Sequence, residues 1–347
     1  MKLSMSIAVG RQSPVETARL VQEFEHAGAD AVWLGEGYGF DVPTSLGYLA
    51  AVTDRIQLGS SILNTYSRTP AALAQTAAGL DWLSGGRAML GLGTSGPQVI
   101  EGFHGVPFGK PVQRMVEIID ICRKVWRREA VSYDGDTFQL PLSADRGGSG
   151  VGKSIKLMHH PVRDDIPIWL GTLGPRAVEE TAAHADGWLT YLLIPEKMRI
   201  VWGEPLERGL ARRDPSRGPL QIQAGMHVAI DEDIDIAKLH EGVRSTLALY
   251  IGGMGAKGKN FYNDLAVAYG YVDEAATVQD LFLSGRRAEA AAAVPQSWID
   301  AMCIVGPRSY VAERLAVLRE AGVTQLSVDP VGASAVKTLE QLKSLVG

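Results

Sequence analysis

Strand-like segments begin near residues 3, 31, 56 and 87, and each gives way to a helical pattern before the next begins. The spacings of 28, 25 and 31 residues match one strand plus one crossover helix. Strands joined that way lie parallel, which excludes a hairpin-built sheet. Local signals agree. Ser13-Pro14-Val15-Glu16 offers a capping serine, a proline at the first helical position and a glutamate three residues after the cap. Gly28 supplies the stop. Thr69-Pro70 opens a helix with Ala74, Ala77, Leu80 and Leu83 on one face, ending at Gly85-Gly86.

The rhythm resumes with strands predicted at 166–170, 187–192, 220–230 and 324–328, and helices at 175–185, up to about 213, and 307–321. Eight β/α units predict an α/β fold closed as a (β/α)8 TIM barrel. An internal echo supports this. Glu25-His26-Ala27-Gly28-Ala29-Asp30-Ala31-Val32 and Arg319-Glu320-Ala321-Gly322-Val323-Thr324-Gln325-Leu326 both read as helix end, glycine stop and buried strand. We expect one barrel domain over 1–347 with insertions at about 131–165 and 231–298. The first should hold a hairpin at Tyr133-Asp134-Gly135-Asp136. Barrel insertions often become lids or dimer surfaces.

Composition removes several classes of function. Lys plus Arg number 34 against 39 Asp plus Glu, a net charge of −5, so no basic field exists to hold a nucleic acid. The only cysteines, Cys122 and Cys303, lie in apolar surroundings, which argues against a disulfide scaffold and a cysteine-ligated zinc. No apolar run reaches the roughly 18 residues of a membrane span. Residues 1–9 alternate like a strand and are too short for a signal-peptide core, so a cytoplasmic location is expected.

Two glycine motifs invite a nucleotide reading. Gly147-Gly148-Ser149-Gly150-Val151-Gly152-Lys153-Ser154 fits the phosphate-loop pattern, but Ile155-Lys156-Leu157-Met158-His159-His160-Pro161 alternates like a strand where a helix is required. Gly91-Leu92-Gly93-Thr94-Ser95-Gly96 fits the dinucleotide pattern but falls on the fourth β/α unit, with no acid-tipped strand some 20 residues on. A glycine-rich turn at a strand's C-terminal end still lets backbone approach a flat ring or a phosphate.

That turn follows Leu58-Gly59-Ser60-Ser61-Ile62-Leu63-Asn64 and Ser67-Arg68-Thr69-Pro70, and precedes Gly171-Thr172-Leu173-Gly174-Pro175-Arg176, Ala185-Asp186-Gly187-Trp188 and Val305-Gly306-Pro307. This ordered set resembles the luciferase-like monooxygenase superfamily over nearly the whole chain, and within it the branch using the deazaflavin coenzyme F420. The resemblance implies hydride chemistry at the strand C-termini. It also implies a non-proline cis peptide at Ser61–Ile62 against the back of the tricyclic ring. Asn64 matches a position bonding the coenzyme's side chain or ring edge. Thr94, Ser95, Gly96 and Gln98 match the loop along the coenzyme, and Thr172, Leu173, Gly174, Arg176 and Ala177 a phosphate-side segment. Independently of the resemblance, Gly174-Pro175-Arg176 opens a helix, whose free amides suit an anion.

Glu36, at the end of the second strand, matches a coenzyme-facing acid. It reads equally as a ring-edge contact or proton donor, or as a structural carboxylate. Relatives acting on a sugar phosphate have Asp-His where this chain has Glu36-Gly37, and a Glu where it has Gly96, which implies a different substrate. His227 on the seventh strand is a second catalytic candidate, against the reading of a satisfied core histidine. His104 reads as a lid or packing residue. His159-His160 would face opposite ways on a strand, so no metal is expected. Lys257 and Lys259 either clamp an acidic coenzyme tail or lie on a solvated turn. Trp82, Trp126 and Trp169 read as core.

The resulting expectation is an F420-dependent oxidoreductase, a homodimer passing hydride between the deazaflavin and a small organic substrate. An FMN-dependent monooxygenase on the same barrel, a non-catalytic deazaflavin carrier and a nicotinamide dehydrogenase are the alternatives, in that order.

Overall fold

The computed structural model describes residues 1–346. Among them, eight parallel strands close a ring: β1 (Lys2–Ile7), β2 (Ala31–Leu34), β3 (Gln57–Ser60), β4 (Ala88–Gly93), β5 (Ile168–Gly171), β6 (Gly187–Leu189), β7 (Gln221–Ile230) and β8 (Gln325–Pro330). Each pairs with its successor, and β8 pairs with β1, so the expected barrel is formed. The outer helices are α1 (Pro14–His26), α2 (Val42–Val52), α3 (Pro70–Ser84), α4 (Pro111–Trp126), α5 (Pro175–His184), α6 (Met198–Ala211), α7 (Arg308–Glu320) and α8 (Ala335–Val346).

The joints follow the local chemistry. Ser13 and Glu16 form the reciprocal capping box, and Pro14 occupies the first turn. Gly28 and Gly322, the glycines of the internal echo, adopt φ of 92° and 90°. That left-handed conformation favours glycine, and it turns each helix back toward the sheet.

Two details depart from expectation. A short strand, Cys303–Gly306, pairs with His227–Ile230 of β7. Strand β6 covers only Gln221–Gln223 on β7, and the extra strand is added farther along the same strand. In α3 the buried stripe runs through Leu73, Ala77, Leu80, Asp81 and Ser84, so Trp82 falls outside it and is 70% exposed, next to exposed Leu83. Trp82 is therefore not a core residue, whereas Trp126 and Trp169 are.

The segment 131–165 holds the hairpin Tyr133–Asp134 with Gln139–Leu140. Fully buried Glu117 of α4 accepts the amides of Asp136, Thr137 and Phe138 at 2.8–3.0 Å. At the other end the Arg163 guanidinium bonds buried Asp81. Residues 147–154 run into neither helix nor strand, which removes the helix a phosphate loop needs. Segment 231–298 is largely helical, with Ile236–Ala248, Phe261–Ala268, Val272–Leu283, Arg287–Ala292 and Gln296–Met302.

Glu25 closes the end of the barrel opposite the strand C-termini. Its carboxylate accepts the amides of Arg55, Ile56 and Asp54 at 2.5, 2.7 and 3.1 Å. Burial alone would raise its pKa, but these amides outweigh it and hold the carboxyl below its ordinary value of 4.5. A depressed native pKa means the stabilisation is complete above the unfolded value and is lost as pH falls through the native one. Glu25→Gln should therefore cost about 2 kcal/mol at pH 7. It should also flatten the acid limb of stability below pH 4.5. Urea midpoints between pH 3 and 7 test this, and parallel curves for the two proteins would refute it.

Candidate active site

The barrel interior is filled below the rim. Trp33 and Trp169 meet edge-on with centroids 5.2 Å apart, among Met89, Leu189 and Ala31. A Cβ on Gly59 would lie 2.2 Å from the Trp33 ring, and one on Gly187 2.2 Å from Trp169, so glycine makes room for each indole. Ile62 packs on top of this plug. The plug closes the interior at this level, and the strand C-termini above it are where sites on this fold are built.

The end of β3 builds the platform. The Ser60 hydroxyl donates to Gly91 O at 2.8 Å and accepts from Gly91 N at 3.0 Å, standing in for the strand ladder. The chain leaves the sheet at Ser61, and the Ser61–Ile62 peptide is cis. It returns at Leu63–Asn64, paired with Leu92 and Gly93 of β4. The Ile62 side chain lies between two glycines, with a Cβ on Gly93 or Gly171 falling 2.9 or 3.1 Å from it. The result is an apolar step flanked by bare backbone, a shape that suits the face of a flat ring.

Polar groups edge the step. Buried Asn64 accepts the amides of Tyr66 and Ser67 at 3.0 and 2.7 Å, and its amide nitrogen lies 3.3 Å from His104 Nε2. Half-buried Thr94, Ser95 and Gly96 follow β4, Ser95 with φ of 56°, and Gln98 is exposed. Glu36 has a defined partner. Both its oxygens receive the Arg68 guanidinium at 2.7 and 2.9 Å, and Arg68 also reaches Asp41 at 2.5 Å. Hydrogen bonding to Glu36 raises the Arg68 pKa further, so the guanidinium is permanently charged. Arg68 is thus shared between two carboxylates, so the cluster offers no free positive charge and Glu36 is tied to a partner rather than a free acid, and sequence reasoning quoted Arg68 without assigning it this part.

On the neighbouring side, Thr172 bonds Thr181 at 2.8 Å, Trp188 donates to Thr172 O at 3.0 Å and Trp202 to Leu173 O at 2.7 Å. These bonds hold the turn into α5, whose cap residue Gly174 provides no side-chain cap. The first-turn amides of Arg176 and Ala177 face no acceptor within the helix, and Arg176 is exposed. That end of α5 is suited to a phosphate or carboxylate.

The far wall comes from β6, β7 and β8. His227 is on the rim, with Nδ1 2.7 Å from Asp329 of β8. Tyr191 after β6 packs against Tyr250 and Tyr262 from the second insertion, with centroids 4.8 and 6.0 Å away. Desolvation within the cluster, together with the adjoining Tyr250, pushes the Tyr191 and Tyr262 phenols well above the ordinary range, so these two stay protonated. Lys257 pairs with Asp280 at 2.6 Å, which draws its charge away from a coenzyme tail. His160 contacts Arg128, and among the described residues no group of three His, Cys, Asp or Glu side chains could hold a metal. Burial pushes both cysteine thiols up to about 12, which removes them as nucleophiles.

The geometry defines a TIM-barrel enzyme whose third strand ends in an apolar step flanked by bare backbone and edged with polar groups. The chain belongs to the luciferase-like monooxygenase family, whose sequence profile matches residues 2–325. It is 42% identical over 346 residues, 99% of each chain, to a Mycobacterium tuberculosis protein named "putative coenzyme F420-dependent oxidoreductase". It is 30% identical over 318 residues to the 5,10-methylenetetrahydromethanopterin reductase of Archaeoglobus fulgidus, covering 91% of this chain and 90% of that one. Among solved structures, the coenzyme F420-dependent tetrahydromethanopterin reductase of Methanopyrus kandleri superposes with a TM-score of 0.78 at 23% identity, over 99% of this chain and 98% of the other. That likeness establishes the fold.

Proposed function

We propose that the protein is an F420-dependent oxidoreductase that transfers hydride between the deazaflavin coenzyme and a small organic substrate. The observation that carries this is the Ile62 step itself: a Cβ on Gly93 or Gly171 would press on Ile62 at 2.9 or 3.1 Å, so bare backbone on both sides lets this apolar side chain stand at the mouth, where it can support a ring face. Bound there, F420 supplies a two-electron hydride acceptor or donor. Residues 61–64 would support the ring, and Asn64 and residues 94–98 would bond its edge. The α5 amides with Arg176 would receive the phosphate, and Glu36, held by Arg68, would stand at the ring's edge as a fixed hydrogen-bonding carboxylate. The family resemblance and the names of the relatives support the coenzyme choice.

The chain's own contribution is orientation and exclusion of water, the main levers a protein has over hydride transfer. The tyrosine cluster closes one side of the rim with neutral, apolar faces. In the same reading the enzyme works in the cytoplasm as a homodimer. Exposed Trp82 and Leu83 on α3, with Tyr48 on α2, support the second point. Among the described residues no helix is long and apolar enough to cross a membrane.

The test is a parallel fluorescence titration of purified protein with F420, FMN and NADPH. We expect saturable binding of F420 with the weakest response to NADPH. Tight FMN binding without any F420 response would replace this reading with that of an FMN-dependent monooxygenase.

A further inference from the structure

Alternation along β7 and β8 decides which side chains face the barrel's mouth. Ile222, Ala224, Met226, Val228 and Ile230 of β7 join the outer core under the helices, as do Leu326 and Val328 of β8. Side chains alternate along a strand, so His227 and Asp329 project inward. Ser6 of β1 and Ser327 of β8, on the same inner face, meet at 3.0 Å and confirm the direction.

His227 and Asp329 are registered neighbours on adjacent strands. The Nδ1 atom of His227 is buried and lies 2.7 Å from Asp329 Oδ2, at an angle too oblique for a completed hydrogen bond. No other group among the described residues bonds Nδ1. A small rotation of the Asp329 side chain, 65% exposed, would complete the bond. The imidazole itself is 26% exposed, so its other nitrogen is on the open side of the rim. The loops carrying the pair are fastened together. Asp231 accepts the Arg308 amide at 3.0 Å and Glu232 accepts the Ala333 amide at 2.8 Å.

In a ring of eight strands, β7 stands directly opposite β3. A ring resting on the Ile62 step would thus have His227 across the mouth from it. A histidine whose buried nitrogen faces a carboxylate and whose other nitrogen faces a substrate is the arrangement of an oriented general acid–base.

We infer that His227 exchanges a proton with the substrate's reacting oxygen, that Asp329 fixes its tautomer, and that the substrate is an alcohol or the matching carbonyl. This rests on the hydride-transfer reading above and deepens it. In the oxidising direction the substrate O–H bond breaks and its proton passes to neutral His227 Nε2. The adjacent C–H bond breaks with its electron pair, and the hydride leaves to the oxidised deazaflavin. The carbonyl double bond forms, the substrate loses two electrons and the coenzyme gains them. In the reverse direction the imidazolium returns the proton to the nascent alkoxide. His227 is then a catalytic residue and Asp329 a positioning residue.

The experiment uses wild type, His227→Gln, His227→Ala and Asp329→Asn. F420 affinity is measured first, and we expect all four to agree within about twofold. Absence of binding by wild type overturns the hydride-transfer reading itself. Nitrogen NMR of the imidazole, without coenzyme, is expected to show the Nδ1-protonated tautomer in wild type and a mixture in Asp329→Asn. Wild-type His227 found mainly as the Nε2-protonated tautomer overturns the role of Asp329. Turnover is then followed with 2-propanol, cyclohexanol and benzyl alcohol, and with acetone, cyclohexanone and benzaldehyde in reverse. His227→Gln is expected to lose about 100-fold in kcat. Its KM should change less than threefold, and added imidazole should restore part of the His227→Ala rate. Normal coenzyme binding with full turnover by His227→Gln, or with no reaction of any alcohol or carbonyl in wild type, overturns the inference and leaves the coenzyme assignment standing.

Discussion

Gly91→Ala is expected to destabilise the barrel by about 3 kcal/mol, at the upper end of what overpacking costs. The added Cβ would lie 1.7 Å from the Ser60 carbonyl oxygen and 2.8 Å from its carbon. Both are backbone atoms, so no side-chain rotation can relieve the overlap. Strands β3 and β4 would have to separate where the Ser60 hydroxyl bridges them. Gly96→Ala is the control. Its Cβ would meet nothing within 4 Å and its φ of −127° suits any residue. That change should stay within about 0.5 kcal/mol. Urea unfolding of both variants decides the matter, and equal midpoints would show that the two strands are not locked at this point.

Gly93→Val should act on the ligand rather than the fold. Its Cβ would lie 2.9 and 3.0 Å from Cγ1 and Cδ1 of Ile62, the far end of a flexible side chain. The Gly171 carbonyl oxygen, 3.3 Å from that Cβ, is backbone and cannot swing aside, so Ile62 has to give way, and on the proposed reading it moves into the space of the ring. We expect F420 affinity to fall about 30-fold, or about 2 kcal/mol, with unfolding still cooperative. Combining Gly93→Val with Ile62→Ala gives the added methyls somewhere to go. The double variant should bind no worse than Ile62→Ala alone, a non-additivity expected of side chains in contact. Isothermal titration of the four proteins measures the cycle. Wild-type affinity in Gly93→Val would mean that the ring does not lie against Ile62.

Much of the architecture is written in short-range signals. A strand-to-strand spacing near 28 residues, the Ser13–Glu16 box and the two echoing glycines each act within a few residues of themselves, so the chain alone reveals them. The end of β3 was legible for another reason. The resemblance implied a cis Ser61–Ile62 peptide, and the structure has one. What escaped are partnerships between distant segments. Glu36 meets Arg68 across 32 positions, and His227 meets Asp329 across a whole β/α unit. Neither pairing has a periodicity to betray it. Trp82 misled because a helix stripe can shift by one position when a buried ion pair, here Asp81 with Arg163, takes a place in it.

The indole plug beneath Ile62 gives the molecule a single doorway. Nothing can pass along the barrel axis past Trp33 and Trp169. Coenzyme and substrate would then have to come and go through the same opening. A vessel closed at its floor in this way makes the loops around that opening the one place where entry and release can be controlled.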